Sequence, residues 1–222
     1  MSFTKPVRTV GILGAGRLGT ALARQALRAG YEVEIATASP PADVALILEF
    51  MAPGALAVSA EALARDADIV VLAVPLGKYR TLRPETLSGK IVIDAMNYWA
   101  PTDGTIAAFE GEASSSEVVQ EFLAGARLVK TLNHIGYHEL EDDGLPAGAS
   151  GRRALAVAGD DAEARAAVAL FIDRLGFDAV DAGPLSTARL FAAGTTIFGG
   201  RFRRDEMERL LGDELPRLEA AE

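Results

Sequence analysis

Short apolar runs alternate with amphipathic segments along the first two thirds of this chain. Residues 9–13, Thr-Val-Gly-Ile-Leu, form an apolar run of strand length. Residues 17–29 follow with Leu18, Ala21, Leu22, Gln25 and Ala26 at helical spacing, and Gly30 stops the pattern. Residues 31–36 alternate and predict a second strand. Pro40-Pro41 marks a loop, after which Asp43 is placed to cap a helix running towards Met51. Residues 56–58 predict a weak strand and residues 60–65 a short helix. Residues 68–74, 90–94 and 127–132 are compact apolar runs that predict buried strands.

The texture changes after Asp142. Residues 143–151 are rich in Gly, Pro and small side chains and predict a loop. Residues 153–157 then predict a strand, 161–175 an Ala-rich helix and 177–180 another strand. Helices are expected from Ser186, with Ser186 as its cap, and from Asp205 to Leu215. Apolar strands alternating with helices imply a doubly wound α/β fold, with a mainly parallel sheet covered on both faces. The expected division is a first part over residues 1–142 and a smaller α/β part over 143–222 that extends the same sheet.

Composition narrows the function. Half of the 222 residues are apolar, enough for one substantial core. Cysteine is absent, which excludes disulfides, thiolate metal sites and cysteine nucleophiles. The net charge of −9 argues against nucleic-acid binding, which relies on surplus Lys and Arg. No stretch reads as a membrane span or a secretory signal, so a cytoplasmic protein is expected.

The chemistry begins at Gly14-Ala15-Gly16-Arg17-Leu18-Gly19, directly between the first strand and the first helix. In that context Gly14 permits a tight turn, Gly16 lets the backbone approach a pyrophosphate, and Gly19 allows close helix–strand packing. The helix start presents free N–H groups and a positive dipole end to the phosphates. The turn therefore predicts a Rossmann dinucleotide site. Past the second strand stands Ala36-Thr37-Ala38-Ser39, with no carboxylate to bind ribose hydroxyls. Thr37, Ala38 and Ser39, with Arg17, favour NADP over NAD.

Further motifs follow in order: Ala73-Val74-Pro75, Ile93-Asp94-Ala95-Met96-Asn97, Leu128-Val129-Lys130-Thr131-Leu132-Asn133, Ala158-Gly159-Asp160-Asp161, and residues 181–186 with Arg189-Leu190. In this order and spacing the chain resembles the coenzyme F420-dependent NADP oxidoreductases, over nearly its whole length. The resemblance implies a Rossmann protein that passes hydride between NADP(H) and a deazaflavin, with a flavin as the related acceptor. It also implies that residues 195–200 lie near the acceptor pocket or a homodimer contact. The chain departs from the family where Thr37-Ala38 replaces a Ser-Arg pair and where Asn133 replaces a histidine.

Hydride transfer asks little acid–base work of the protein, because the cofactors carry the chemistry. Ligands of such sheets bind beyond the carboxyl ends of the strands. Val74, Pro75, Ala95, Met96 and Asn97 are therefore expected at the cofactor, and Asn133 and His134 as positioning donors to the nicotinamide or acceptor. Pro75 alternatively ends its strand, and the two asparagines alternatively bond their own loops. Tyr98-Trp99 either stacks on a planar ring or packs. His134 and His138 are four apart, but Gly136 weakens a helix between them, and no metal site is expected. The acidic run 139–143 reads as a solvated loop.

Overall fold

The computed structural model describes residues 6–111 and 113–219. Eight strands form one sheet: β1 (Thr9–Leu13), β2 (Glu32–Ala36), β3 (Leu56–Ala57), β4 (Ile69–Leu72), β5 (Ile91–Asp94), β6 (Arg127–Lys130), β7 (Ala154–Ala158) and β8 (Asp178–Gly183). Their order is β3-β2-β1-β4-β5-β6-β7-β8. The first six are parallel, and β7 runs antiparallel to β6 through the pair Lys130–Ala158. β8 then lies parallel to β7. This is the doubly wound α/β architecture, with the C-terminal strands continuing the sheet.

Helices cover both faces because the strands are apolar on both. On one side α1 (Arg17–Arg28), α2 (Pro41–Met51), α7 (Tyr137–Asp142) and α8 (Ala162–Arg174) bring Leu22, Leu48, Leu140 and Phe171 onto Ile12, Val71, Ile93 and Val129. On the other side lie α3 (Ala60–Asp66), α4 (Pro84–Leu87) and α6 (Ser115–Phe122), while the short α5 (Ala100–Asp103) follows β5 in the chain. There Leu63, Leu87 and Val119 pack with Val70, Leu72, Val92 and Leu128. Alternate residues of one strand thus feed two cores. A third core joins β7 and β8 to the 3-10 helix Leu185–Phe191 and to α9 (Arg204–Glu219), around Phe191, Ile197 and Met207.

Several local expectations change. Asp43 does not cap α2. Pro40 holds that position, and Asp43 sits in the first turn, where its charge still complements the helix dipole. Likewise Pro184, not Ser186, precedes the 3-10 helix. Most of the acidic run is a helix rather than a loop, and two of its charges, Glu141 and Asp143, have partners. Arg24 grips Glu141 with two bonds of 2.6 Å, and Arg28 adds a third of 3.0 Å, fastening α7 to α1. Asp143, buried, lies between Arg153 at 3.1 Å and Arg201 at 2.6 Å.

Candidate functional site

The carboxyl ends of the parallel strands finish level. Ala36, Leu13, Leu72, Asp94 and Lys130 are successive register partners across β2, β1, β4, β5 and β6. Every segment expected at the site leaves from this rim. The chain order reverses between β1 and β4, which opens the crevice where such sheets bind ligands.

The glycine turn sits at that crevice, and each glycine has its own reason. Gly14 has φ +120°, and a β-carbon there would lie 2.4 Å from the carbonyl oxygen of Ala73. On Gly19 a β-carbon would lie 2.0 Å from the carbonyl oxygen of Gly14, so only glycine lets α1 start this close to β1. Gly16 differs: a β-carbon would meet nothing within 4 Å. It is the N-cap of α1, is exposed, and makes no side-chain cap, so the first N–H groups of α1 face open space. That is the cradle a pyrophosphate requires. Ala15 and Leu18 are half-buried against the core beneath it.

Arg17 is exposed beside the cradle, its guanidinium 5.8 Å from the ring centre of Tyr137 on α7. At the end of β2, Thr37 is turned inward on its own loop. Its hydroxyl donates to the Ser39 carbonyl and accepts the Ser39 N–H at 3.1 Å. Ala38 and Ser39 are exposed, so Ser39 and Arg17 are polar side chains of this end that face solvent.

Beyond β4, Val74 packs on the core and Pro75 precedes the 3-10 helix Leu76–Thr81. Pro75 therefore ends its strand as well as bordering the rim. Ala95 and Met96 are buried in opposite cores, which leaves only their backbone to a ligand. Asn97 stays half-exposed. It donates to the Asn133 carbonyl at 2.7 Å and accepts the Asn133 amide at 3.2 Å. Leu132 adopts φ +64°, the one described non-glycine residue in the left-handed region, and this turn is what carries Asn133 under Asn97.

Asn133 and His134 are committed elsewhere than expected. The Asn133 amide also donates to the Phe191 carbonyl at 2.9 Å. His134 is buried, and its Nε2 accepts the Ala156 N–H at 3.0 Å, so the ring proton lies on Nδ1, toward Asn133 Oδ1 at 3.2 Å. β6 has already ended at Lys130, and the imidazole replaces the missing strand partner of β7. Burial, then the nearby Arg153 and Lys130 charges, hold its pKa down to about 3. His134 is thus a neutral structural link, not a donor to a ligand. His138, by contrast, is exposed and stacks on Tyr137. Among the described residues no group of three or more His, Asp or Glu side chains is placed to hold a metal.

Tyr98 is a packing residue. It contacts Phe109, bonds Glu110 and accepts the Ile106 N–H at 3.0 Å, while Trp99 is exposed. Between this loop, α6 and the 3-10 helix Leu185–Phe191 opens a cavity of about 240 Å³. Asn97, Tyr98, Ser115, Lys130, Asn133 and Arg189 are among the residues bordering it. Lys130 and Asp94, neighbours on β6 and β5, form a buried ion pair at 3.2 Å. The Asp94 carboxylate also accepts Ser116 Oγ at 2.7 Å and the Met96 N–H at 3.0 Å, and Lys130 donates to the Met96 carbonyl. Sequence reasoning passed over both residues as members of apolar strands. The available signal was one acid and one base, each closing an otherwise apolar run.

The family described as NADP oxidoreductase, coenzyme F420-dependent, matches residues 9–98, from β1 through the Asn97 loop. This segment, less than half of the chain, is similar to that family. Two solved structures extend the likeness across the whole fold. The hypothetical protein SMa0349 of Sinorhizobium meliloti is 28% identical, with a TM-score of 0.73 over 88% of this chain and 95% of that one. A proposed F420-dependent NADP reductase of Arthrobacter sp. FB24 is also 28% identical, with a TM-score of 0.70 over 96% and 94%. The metalloreductase STEAP3 of Rattus norvegicus is 27% identical over 187 residues, which are 83% of this chain and 36% of that protein. This chain therefore spans about a third of the length of that curated relative. The family is one of NADP-dependent oxidoreductases.

Two outcomes follow from this geometry. Gly16→Val should leave thermal stability unchanged, since its side chain meets no protein atom, yet weaken NADPH binding at least about 100-fold by standing where phosphate must lie. Calorimetric titration beside a melting curve reads both. The second concerns pH. The folded state keeps His134 neutral down to about 3, whereas the unfolded chain protonates it below about 6.5. Between those values the unfolded state binds more protons, so stability falls as the solution is acidified, by up to about 1.4 kcal/mol per pH unit. His134→Gln should flatten that slope between pH 6.5 and 5 in urea unfolding, and an unchanged slope would assign it to other groups.

Proposed function

We propose that this chain binds NADP(H) over Gly14–Gly19 and passes hydride between the nicotinamide and a deazaflavin such as coenzyme F420, or a flavin. The observation that carries the reading is the open backbone at Gly16, which leaves the N-terminus of α1 facing free space at the strand-order reversal. A dinucleotide fits this cradle because only its side-chain-free surface is left uncovered. The bound nicotinamide supplies the hydride; the protein's part is to bind, orient and exclude water.

Its residues divide that work. Gly14, Gly16 and Gly19 shape the phosphate cradle, and Arg17, steadied by Tyr137, adds positive charge beside it. Ala38 and Ser39 border the adenosine ribose, where the lack of a carboxylate accommodates a 2′-phosphate. Val74, Pro75 and the Ala95–Asn97 backbone flank the nicotinamide, and the half-exposed Asn97 amide faces the acceptor cavity. Asn133 and His134 act indirectly, by fixing Asn97 and the rim. The likeness to the proposed F420-dependent NADP reductase of Arthrobacter supports a deazaflavin acceptor.

An anaerobic assay with NADPH and, separately, F420, FMN and FAD tests this. Catalytic bleaching of one acceptor's visible absorbance is expected. Tight NADPH binding with no acceptor reduced would contradict the hydride-transfer reading and leave a dinucleotide sensor or a reductase of a different small substrate.

A further inference from the structure

The reduction proposed above needs a proton as well as a hydride, and the residues expected to serve the acceptor are spent. Asn133 uses both amide hydrogens on Asn97 and Phe191, and both ring nitrogens of His134 are occupied. The cavity that opens beside them is nevertheless bordered by a buried lysine. Lys130 places its ammonium between Asp94 and the Met96 carbonyl, which takes two of its three hydrogens. Among the described residues no acceptor takes the third, and Lys130 borders the cavity.

We infer that Lys130 is the catalytic proton donor of this site, meeting the acceptor atom on which negative charge develops as hydride arrives. The inference rests on the hydride-transfer reading. In the step, a C–H bond of the dihydronicotinamide breaks and its electron pair and hydrogen form a new bond at the acceptor ring. NADPH is oxidised and the ring reduced. The pair displaced to the ring's pyrimidine edge takes a proton as the Nζ–H bond breaks, and water later restores the proton to Lys130.

Three features support the assignment. First, a buried ion pair adds little stability compared with packed apolar side chains, so its presence at a cavity wall asks for another reason. Second, the Asp94 side chain accepts from Ser116, the Met96 N–H and Lys130, a set of bonds that fixes the ammonium at the cavity wall. Third, burial pulls the Lys130 pKa down while Asp94 opposes it, which makes the ammonium a readier acid than a solvated lysine.

The test compares the wild type with Lys130→Met and with Asp94→Asn/Lys130→Met, the latter so that no carboxylate is left buried without its cation. NADPH affinity is measured first, then anaerobic titration with oxidised and photoreduced F420 and FMN, followed by Trp99 fluorescence, and then the single-turnover rate. The wild type should bind the reduced acceptor at least about tenfold more tightly than the oxidised one. Both variants should keep NADPH affinity, lose that preference, and transfer hydride about 100-fold more slowly. Variants that keep preference and rate overturn this inference alone. Variants that lose NADPH binding also overturn it, because Lys130 then maintains the rim rather than the reaction. A wild type that binds and reduces neither acceptor overturns the hydride-transfer reading and this inference with it.

Discussion

The contact between Gly19 and the carbonyl oxygen of Gly14 constrains the rest of the rim. A β-carbon at Gly19 would stand 2.0 Å from that oxygen, so helix α1 can leave strand β1 at this angle only through glycine. That close start sets the first N–H groups of α1 at the level where β1, β4, β5 and β6 all end. The phosphate cradle, the nicotinamide-facing segments and the cavity beside β6 then share one surface. Were α1 displaced outward, α7 would move with it through the Arg24–Glu141 pair, and Tyr137 would leave Arg17.

Beyond the cradle, the rim is held by polar groups facing inward. Leu132 in the left-handed region turns the chain after β6, and this allows Asn133 to join Asn97, His134 and the Phe191 carbonyl in one network. His134 carries the network into β7 through the Ala156 N–H. These bonds tie the C-terminal strands to the dinucleotide end. They also occupy the polar groups of Asn133 and His134, which leaves Asn97 and Lys130, beside the committed Asn133, as polar side chains of the β5 and β6 ends at the cavity.

The parallel strands and their helices were legible because a strand buried on both faces is a continuous apolar run, and β1, β4, β5 and β6 are four such runs alternating with helical periodicity. The glycine turn was legible for a different reason, since its three positions each answer a separate steric demand. Other features depended on distant partners. Helix α7 looked like a solvated acidic stretch because Arg24 and Arg28, which neutralise Glu141, stand more than a hundred residues earlier. His134 looked like a ligand donor because nothing local reveals that β6 stops short and leaves the Ala156 N–H in need of an acceptor. Lys130 and Asp94 were hidden inside apolar strands. Only the register β5–β6 makes them a pair.

A structure of the complex with NADP+ tests the central claim most directly. The account predicts the pyrophosphate over Gly16 at the start of α1, and the nicotinamide at the rim between the Pro75 and Asn97 loops, its C4 edge facing the cavity bordered by Lys130. A nicotinamide directed away from that cavity, or phosphates held elsewhere than at α1, would contradict it.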